Sequence, residues 1–278
     1  MTPELNPAST PGAKLDQPDD QLVGQRDLRV WPTAAGRLME AAARWIAAFT
    51  GSHLLLLGTL VLGGLLLTAT TAASAELYES VVEQDSAAAL DEPALAAAKR
   101  LRTPVANTVV TLYTDLGSAQ VLPWLAGVVT VALALRWRQW TPVILMSAAT
   151  TGSVLMTVAG KSAVGRTRPA LIDAVPPYES SASFPSGHSL NAVVVAGVLA
   201  YLLIRRQRTA RGRLGTLVLA ATFAATMGLS RVYLGHHWLT DVLVAWTLGL
   251  AWLTVVVVAH RLFLTVRHRE PSTANTSP

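Results

Sequence analysis

Six apolar runs constrain this chain more than any other feature of it. They cover residues 53–73, 118–135, 141–160, 189–204, 214–230 and 239–259. A helix that crosses the hydrocarbon core of a bilayer needs about 20 apolar residues, with a range of about 17 to 25. The fourth run is short, so its helix is expected to take in Gly187 and His188 or to extend past Arg205. The expected fold is all-α, a six-span transmembrane helical bundle. Composition agrees: hydrophobic residues make up 51% and charged residues 14%, against about 25% charged in soluble domains. Disorder needs low hydrophobicity and high net charge, so this balance excludes it. It also excludes an ordinary soluble globule.

The runs divide the chain into three parts. Residues 1–50 read as a mobile N-terminal tail, Pro- and Asp-rich at first and weakly amphipathic over 33–49. Residues 51–262 form the six-span domain, and 263–278 a polar C-terminal tail. Ala73-Ser74-Ala75 resembles a signal cleavage site, but the segment of some 50 residues before the first run is too long for a signal n-region. The longest connection, 74–117, carries two short amphipathic helices at 95–101 and 105–116. It reads as an interfacial cap, or as a rim that guides a lipid.

Orientation follows from Lys and Arg near the span ends. Arg37 and Arg44, Arg136 and Arg138, the group Arg205, Arg206, Arg208, Arg211 and Arg213, and then Arg261, Arg267 and Arg269 all fall on one side of a six-span bundle. That side is expected to be cytoplasmic, with both termini, in a multi-pass cell-membrane protein. The arginine group reads as a topology determinant before it reads as a site for anionic lipid. The formal charge of +5 therefore calls for no nucleic-acid partner. The chain has no cysteine, which excludes disulfides, thiolate metal sites and thiol nucleophiles.

The other side gathers ionisable residues at membrane depth, where they are costly and point to function. The third span ends at Lys161, followed by Gly165-Arg166-Thr167-Arg168-Pro169. The fourth opens with Pro185-Ser186-Gly187-His188. The fifth ends at Ser230-Arg231, and the sixth begins through His236-His237-Trp238-Leu239-Thr240-Asp241. Lys161, Arg168 and Arg231 supply cations suited to phosphate oxygens. Ser186 and Gly187 lead into a helix N-terminus, which binds anions. His237 and Asp241 are four apart and share a helix face, so the carboxylate can orient the ring as a nucleophile. His188 can donate a proton to a leaving oxygen. The set is complete for phosphoryl transfer without metal or cofactor, and no acidic cluster suited to Mg²⁺ accompanies it.

These residues resemble the type 2 phosphatidic acid phosphatase superfamily, which also includes the vanadium haloperoxidases. Its pattern is Lys-x6-Arg-Pro, Pro-Ser-Gly-His and Ser-Arg-x5-His-x3-Asp. Here it is met by Lys161 with Arg168-Pro169, by 185–188, and by Ser230-Arg231 with His237 and Asp241. The resemblance implies that His237 attacks phosphorus and forms a phosphohistidine. It implies that Asp241 orients His237, and that His188 protonates the leaving group and then activates water. Lys161, Arg168, Ser186, Gly187 and Arg231 would bind the phosphate.

The expected function is hydrolysis of a lipid phosphate or diphosphate of the phosphatidic acid, phosphatidylglycerol phosphate or polyprenyl diphosphate class, at the outer face. The alternatives are a lipid phosphotransferase with the same site, a vanadate-dependent haloperoxidase and a transporter. Six spans count against the haloperoxidase, and charges at one face count against the transporter. His53 and His260 read as interfacial polar residues, and His236 as structural or rim-forming. Arg166 is either a substrate contact or a solvated cation. The tryptophans read as interface anchors, and the small residues of the third and fifth spans as a sign of close helix packing.

Overall fold

The computed structural model describes residues 22–23, 26–50, 58–64 and 88–267. A two-residue hairpin, β1 (Leu22–Val23) and β2 (Arg26–Asp27), precedes α1 (Ala34–Thr50). Helix α2 is described over 58–64. The cap follows as α3 (Asp91–Arg100) and α4 (Pro104–Asp115). The bundle is α5 (Leu122–Trp137), α6 (Thr141–Val164), α7 (Gly187–Ile204), α8 (Ala210–Tyr233) and α9 (Leu239–Arg267).

Helices α6 to α9 are each long and apolar enough to cross a membrane. Helix α5 has 16 residues, a rise of about 24 Å against a hydrocarbon core of about 30 Å. Most of the first expected span lies outside the described residues. The part that is described packs beside the middle of α9, where Gly63 faces Val255 and Gly64 faces Trp252. The fourth expected span does begin at Gly187. Ser186 is its N-cap, so His188 stands on the first turn. Helix α9 runs past the expected domain boundary at 262, with Phe263 and Leu264 buried.

The core is built on α6, α7 and α9, around Leu145, Ala149, Met156, Leu190, Val194, Val198 and Trp252. Close approach depends on the small residues. A Cβ on Gly152 would sit 2.2 Å from Trp252 Cε2, and the same indole donates to the Ala149 carbonyl at 2.8 Å. His260, expected at an interface, is instead buried in the bundle with its Nδ1 2.8 Å from the Tyr201 hydroxyl.

Contacts among Lys161, His188, Glu179, Arg231 and His237 put the C-terminal ends of α6 and α8 and the N-terminal ends of α7 and α9 at one end of the bundle. The arginines at 136, 138, 205–213 and 261 share the other. At that basic end the segment before α1 is docked. Arg261 donates to the carbonyls of Leu28 and Val30 at 2.8 and 3.0 Å and lies 4.2 Å over the Trp31 ring. The Trp31 indole donates to Thr265 Oγ1 at 3.3 Å. The described residues thus include part of the segment read from sequence as tail, from Leu22 on.

Both cap helices form, with α3 opening at Asp91, before the expected start at 95, and each has its own end signals. Thr103 caps α4 by accepting from Ala106 N at 3.1 Å, with Pro104 opening the helix. Helix α3 has Asp91 and Glu92 in its first turn and Lys99 and Arg100 in its last, the arrangement that complements the helix dipole. Both helices lie over the end of the bundle that carries the motif residues.

Candidate active site

Local structure delivers each motif residue to one place. Helix α6 ends in the left-handed Gly165 (φ 59°), which turns the chain toward Arg166 and Arg168 one turn beyond Lys161. The loop 166–186 folds back over the bundle end. It is tied there by Ser183 N to the Arg166 carbonyl at 2.8 Å and by Ser186 N to the Asp241 carbonyl at 3.3 Å. The turn between α8 and α9 uses Gly235 (φ 72°), where a Cβ would meet the Asp173 carbonyl oxygen at 2.3 Å. That turn brings His237 beside Asp241.

His237 is 2% exposed and Asp241 0%. His237 Nδ1 lies 3.5 Å from Asp241 Oδ2, and its Nε2 lies 3.2 Å from Arg168 Nη1. A guanidinium has donors only, so Nε2 carries the lone pair and the proton is on Nδ1, facing the carboxylate. Burial lowers the His237 pKa to about 4; the hydrogen bond to Asp241 opposes this and Arg168 adds to it. The ring is therefore neutral at neutral pH. Asp241 Oδ2 also accepts from Ser183 Oγ at 2.5 Å and from Trp238 N at 3.0 Å, while Oδ1 accepts from Arg166 Nη1 at 2.6 Å.

His237 and His188 line one cavity of about 250 Å³, together with Lys161, Gly187, Glu179 and Asn191. Its far wall is apolar, made by Ala119, Val154 and Val158. The two valines are 52% and 57% exposed on α6, so the cavity borders the lateral face of the bundle.

The cations stand close but engaged. Lys161 Nζ donates to Ser181 Oγ at 3.0 Å and to the Ala182 carbonyl. Arg168 donates to the Ser181 carbonyl at 2.7 Å and to the His236 carbonyl. Arg231 is 2% exposed, and its Nη1 donates to Thr114 Oγ1 on α4 at 3.2 Å. Between Arg168 and Arg231 lies Glu179, paired with Arg168 Nη2 at 2.8 Å and with Arg231 Nη2. Burial raises the Glu179 pKa, but Arg231 and Arg168 outweigh it and hold the carboxyl down at about 2. For Arg168 burial is the largest influence and lowers its pKa, against the opposing pull of Glu179.

Ser186 is fully buried, and its hydroxyl accepts from Ser189 Oγ at 2.8 Å, so it stands behind the cavity wall. His236 is 3% exposed, with Nε2 donating to the Val175 carbonyl at 2.7 Å. It lines a second cavity of about 290 Å³ on the other side of Glu179, with Arg168 and Tyr178. Sequence reasoning missed Glu179, Ser183 and Asp91. None lies in a motif, and only the folding of the 166–186 loop and of helix α3 onto the bundle brings them to the site. Among the described residues no three His, Asp or Glu side chains group as a metal site.

The family model of the PAP2 superfamily matches residues 140–263, which span the whole constellation. Phosphatidylglycerophosphatase B of Bacillus subtilis (strain 168) is 33% identical over 175 residues, covering 63% of this chain and 85% of that protein. The chain belongs to the PAP2 superfamily. Among solved structures, the transmembrane PAP2-type phosphatidylglycerolphosphate phosphatase of Bacillus subtilis superposes with a TM-score of 0.58 at 32% identity, covering 71% of this chain and 92% of that one. LpxE of Aquifex aeolicus superposes with a TM-score of 0.50 at 22% identity, over 63% of this chain and 98% of that one, a likeness of fold.

Proposed function

We propose that this chain is an integral-membrane phosphatase that removes phosphate from a lipid phosphate or diphosphate through a phosphohistidine on His237. The observation that carries the reading is the fixed ring of His237. One nitrogen faces a buried carboxylate, and the other presents its lone pair toward Arg168 beside Lys161 and the start of α7.

In the first step the Nε2 lone pair attacks phosphorus and the bond to the lipid oxygen breaks. His188 gives that oxygen its proton. In the second, His188 takes a proton from water, the water oxygen bonds to phosphorus, and the P–N bond breaks. Phosphate leaves and His237 regains its lone pair. Lys161, Arg168, Arg231 and the free N–H groups at the start of α7 answer the charge on the equatorial oxygens. Asp241 keeps His237 in the reactive tautomer and stabilises the ring as it becomes cationic.

A lipid substrate suits the cavity because its apolar wall, Val154 and Val158, lies on the bundle's lateral face, where an acyl chain can remain in the bilayer. The arginines at the opposite end of the bundle support a cytoplasmic location for that end, and so an outward-facing site. The activity named for the Bacillus relative makes phosphatidylglycerol phosphate the first substrate to test. The test is phosphate release by the purified protein from a panel of phosphatidylglycerol phosphate, phosphatidic acid and polyprenyl diphosphate, without added metal. Turnover that is lost in His237→Ala is the expected result. Turnover of none of them, or full turnover in His237→Ala, contradicts the reading.

A further inference from the structure

We propose that Asp91, in the cap, is a positioning residue for the catalytic carboxylate and acts on it through Arg166; this rests on the phosphatase reading above. Asp91 opens α3 and is 3% exposed. Its Oδ2 accepts from Arg166 Nη2 at 2.7 Å. Arg166 in turn spends Nη1 on Asp241 Oδ1 at 2.6 Å and on Thr240 Oγ1 at 2.8 Å. Thr240 closes the circuit: its N–H donates to Asp91 Oδ1 at 2.9 Å and its hydroxyl to Asp91 Oδ2 at 2.8 Å. One guanidinium thus bridges two buried carboxylates that lie 150 positions apart, with its face 5.6 Å over the Trp238 ring.

The arrangement settles which way Arg166 works. It is 14% exposed at the side chain and turned away from the catalytic cavity, toward the back of Asp241. Asp241 is therefore gripped on both oxygens: Oδ1 by Arg166, and Oδ2 by Ser183 and Trp238 N on the side that faces His237. The guanidinium is planar with its donors in one rigid fork, so the bond from Nη2 to Asp91 fixes the direction from which Nη1 meets Asp241. Asp91 supplies the second anchor that fixes the fork. Without that charge the guanidinium has one carboxylate to answer and a freedom to swing, and Asp241 swings with it. Misplacement of a catalytic group by about 1 Å can cost up to about 100-fold in rate.

A merely structural role for Asp91 is to cap α9 through Thr240 N. Asp91→Asn separates the two roles, because the amide oxygen still accepts from Thr240 while the charge opposite Arg166 is gone. In the full chain in detergent, Asp91→Asn is expected to lower kcat about tenfold with KM for the lipid phosphate and the melting temperature little changed. Arg166→Lys keeps charge but loses the fork, and the double variant is expected to fall no further than Arg166→Lys alone, since coupled residues are not additive. Wild-type kcat in Asp91→Asn, or additive losses in the double variant, overturns the proposal. If Asp91→Asn does not fold, Arg166→Lys carries the test by the same criterion, and wild-type kcat there overturns it. The ring ¹⁵N resonances of His237 give a readout independent of turnover: a displaced Nδ1 signal in either variant supports the relay, and an unmoved one overturns it. Full turnover in His237→Ala, measured alongside, counts against the phosphatase reading and leaves the ¹⁵N result to decide the relay.

Discussion

The carboxylate of Glu179, which lines the cavity shared by His188 and His237, is paired with the guanidinium of Arg231. Its second oxygen meets Arg168. On the proposed function both arginines bind the transferred phosphoryl group, and an anion of the chain's own would then stand where the substrate's anion has to go. A substrate would have to displace it, and its affinity would carry that cost.

Glu179→Gln removes the charge at nearly constant shape. Competitive inhibition by inorganic phosphate is expected to strengthen about fivefold or more, because a site held by an internal competitor binds in proportion to its free fraction. A weaker or unchanged inhibition constant contradicts the assignment of Glu179 as that competitor.

Acid acts on the site in two windows. Burial holds the His237 pKa near 4, below its ordinary 6.5, so the unfolded chain takes that proton first. The stability tied to the neutral ring is whole above 6.5 and is lost as pH falls toward 4. Arg231 and Arg168, against an opposing effect of burial, hold Glu179 at about 2, below its ordinary 4.5. That contribution is whole above 4.5 and is lost as pH falls toward 2. Melting temperature in detergent is expected to be level from pH 8 to about 6.5 and to decline below it. In the folded protein His237 should titrate near 4 by NMR. A midpoint near 6.5 contradicts the buried neutral ring.

Lys161 reaches the cavity from the last turn of α6. Lys161→Ala is expected to lower kcat/KM about 100- to 1,000-fold, the scale for losing one group that stabilises transition-state charge, and Lys161→Arg to restore part of it. A change below about threefold in Lys161→Ala would remove Lys161 from the anion site.

Packing in the membrane is tested at Gly152. A side chain there has to enter the volume of Trp252, with its Cβ 2.2 Å from the indole. Gly152→Val is expected to destabilise the bundle by about 1–3 kcal/mol, the usual cost of overpacking, seen as a lower melting temperature and a loss of folded yield. Unchanged stability would mean that α6 and α9 do not meet as described.

Much of this was legible in the residues themselves. Four apolar runs become four long helices, and the need for Gly187 and His188 to complete the fourth is met at its N-cap Ser186. Helical spacing put His237 and Asp241 on one helix face; they do meet, but His237 stands in the turn before α9 opens at Leu239, so the turn at Gly235 and not a shared helix face brings them together. The rest depends on tertiary folding that periodicity does not encode. Glu179 is one acid in a loop without repeat or helical spacing, and nothing local pairs it with Arg231, 52 positions on. Asp91 lies outside the cap helix expected over 95–101, and nothing in the sequence sends its oxygens across to Arg166 and Thr240. Trp31 lies in the segment read as tail and is held by Arg261 and Thr265 from the far end of the chain, with Leu262 and Ala43 packed in the same cluster.

The central claim is that phosphorus becomes bonded to His237, and trapping tests it most directly. A ³²P-labelled aryl phosphate, whose leaving group departs without a proton, is mixed with the His188→Ala variant, in which the water-activating group is missing, and the reaction is quenched in alkali, where a phosphohistidine survives. Label on the protein, mapped to His237 and absent from the His188→Ala/His237→Ala double variant, is the predicted result. Phosphate released by the wild-type protein with no label on His237 under these conditions would contradict it.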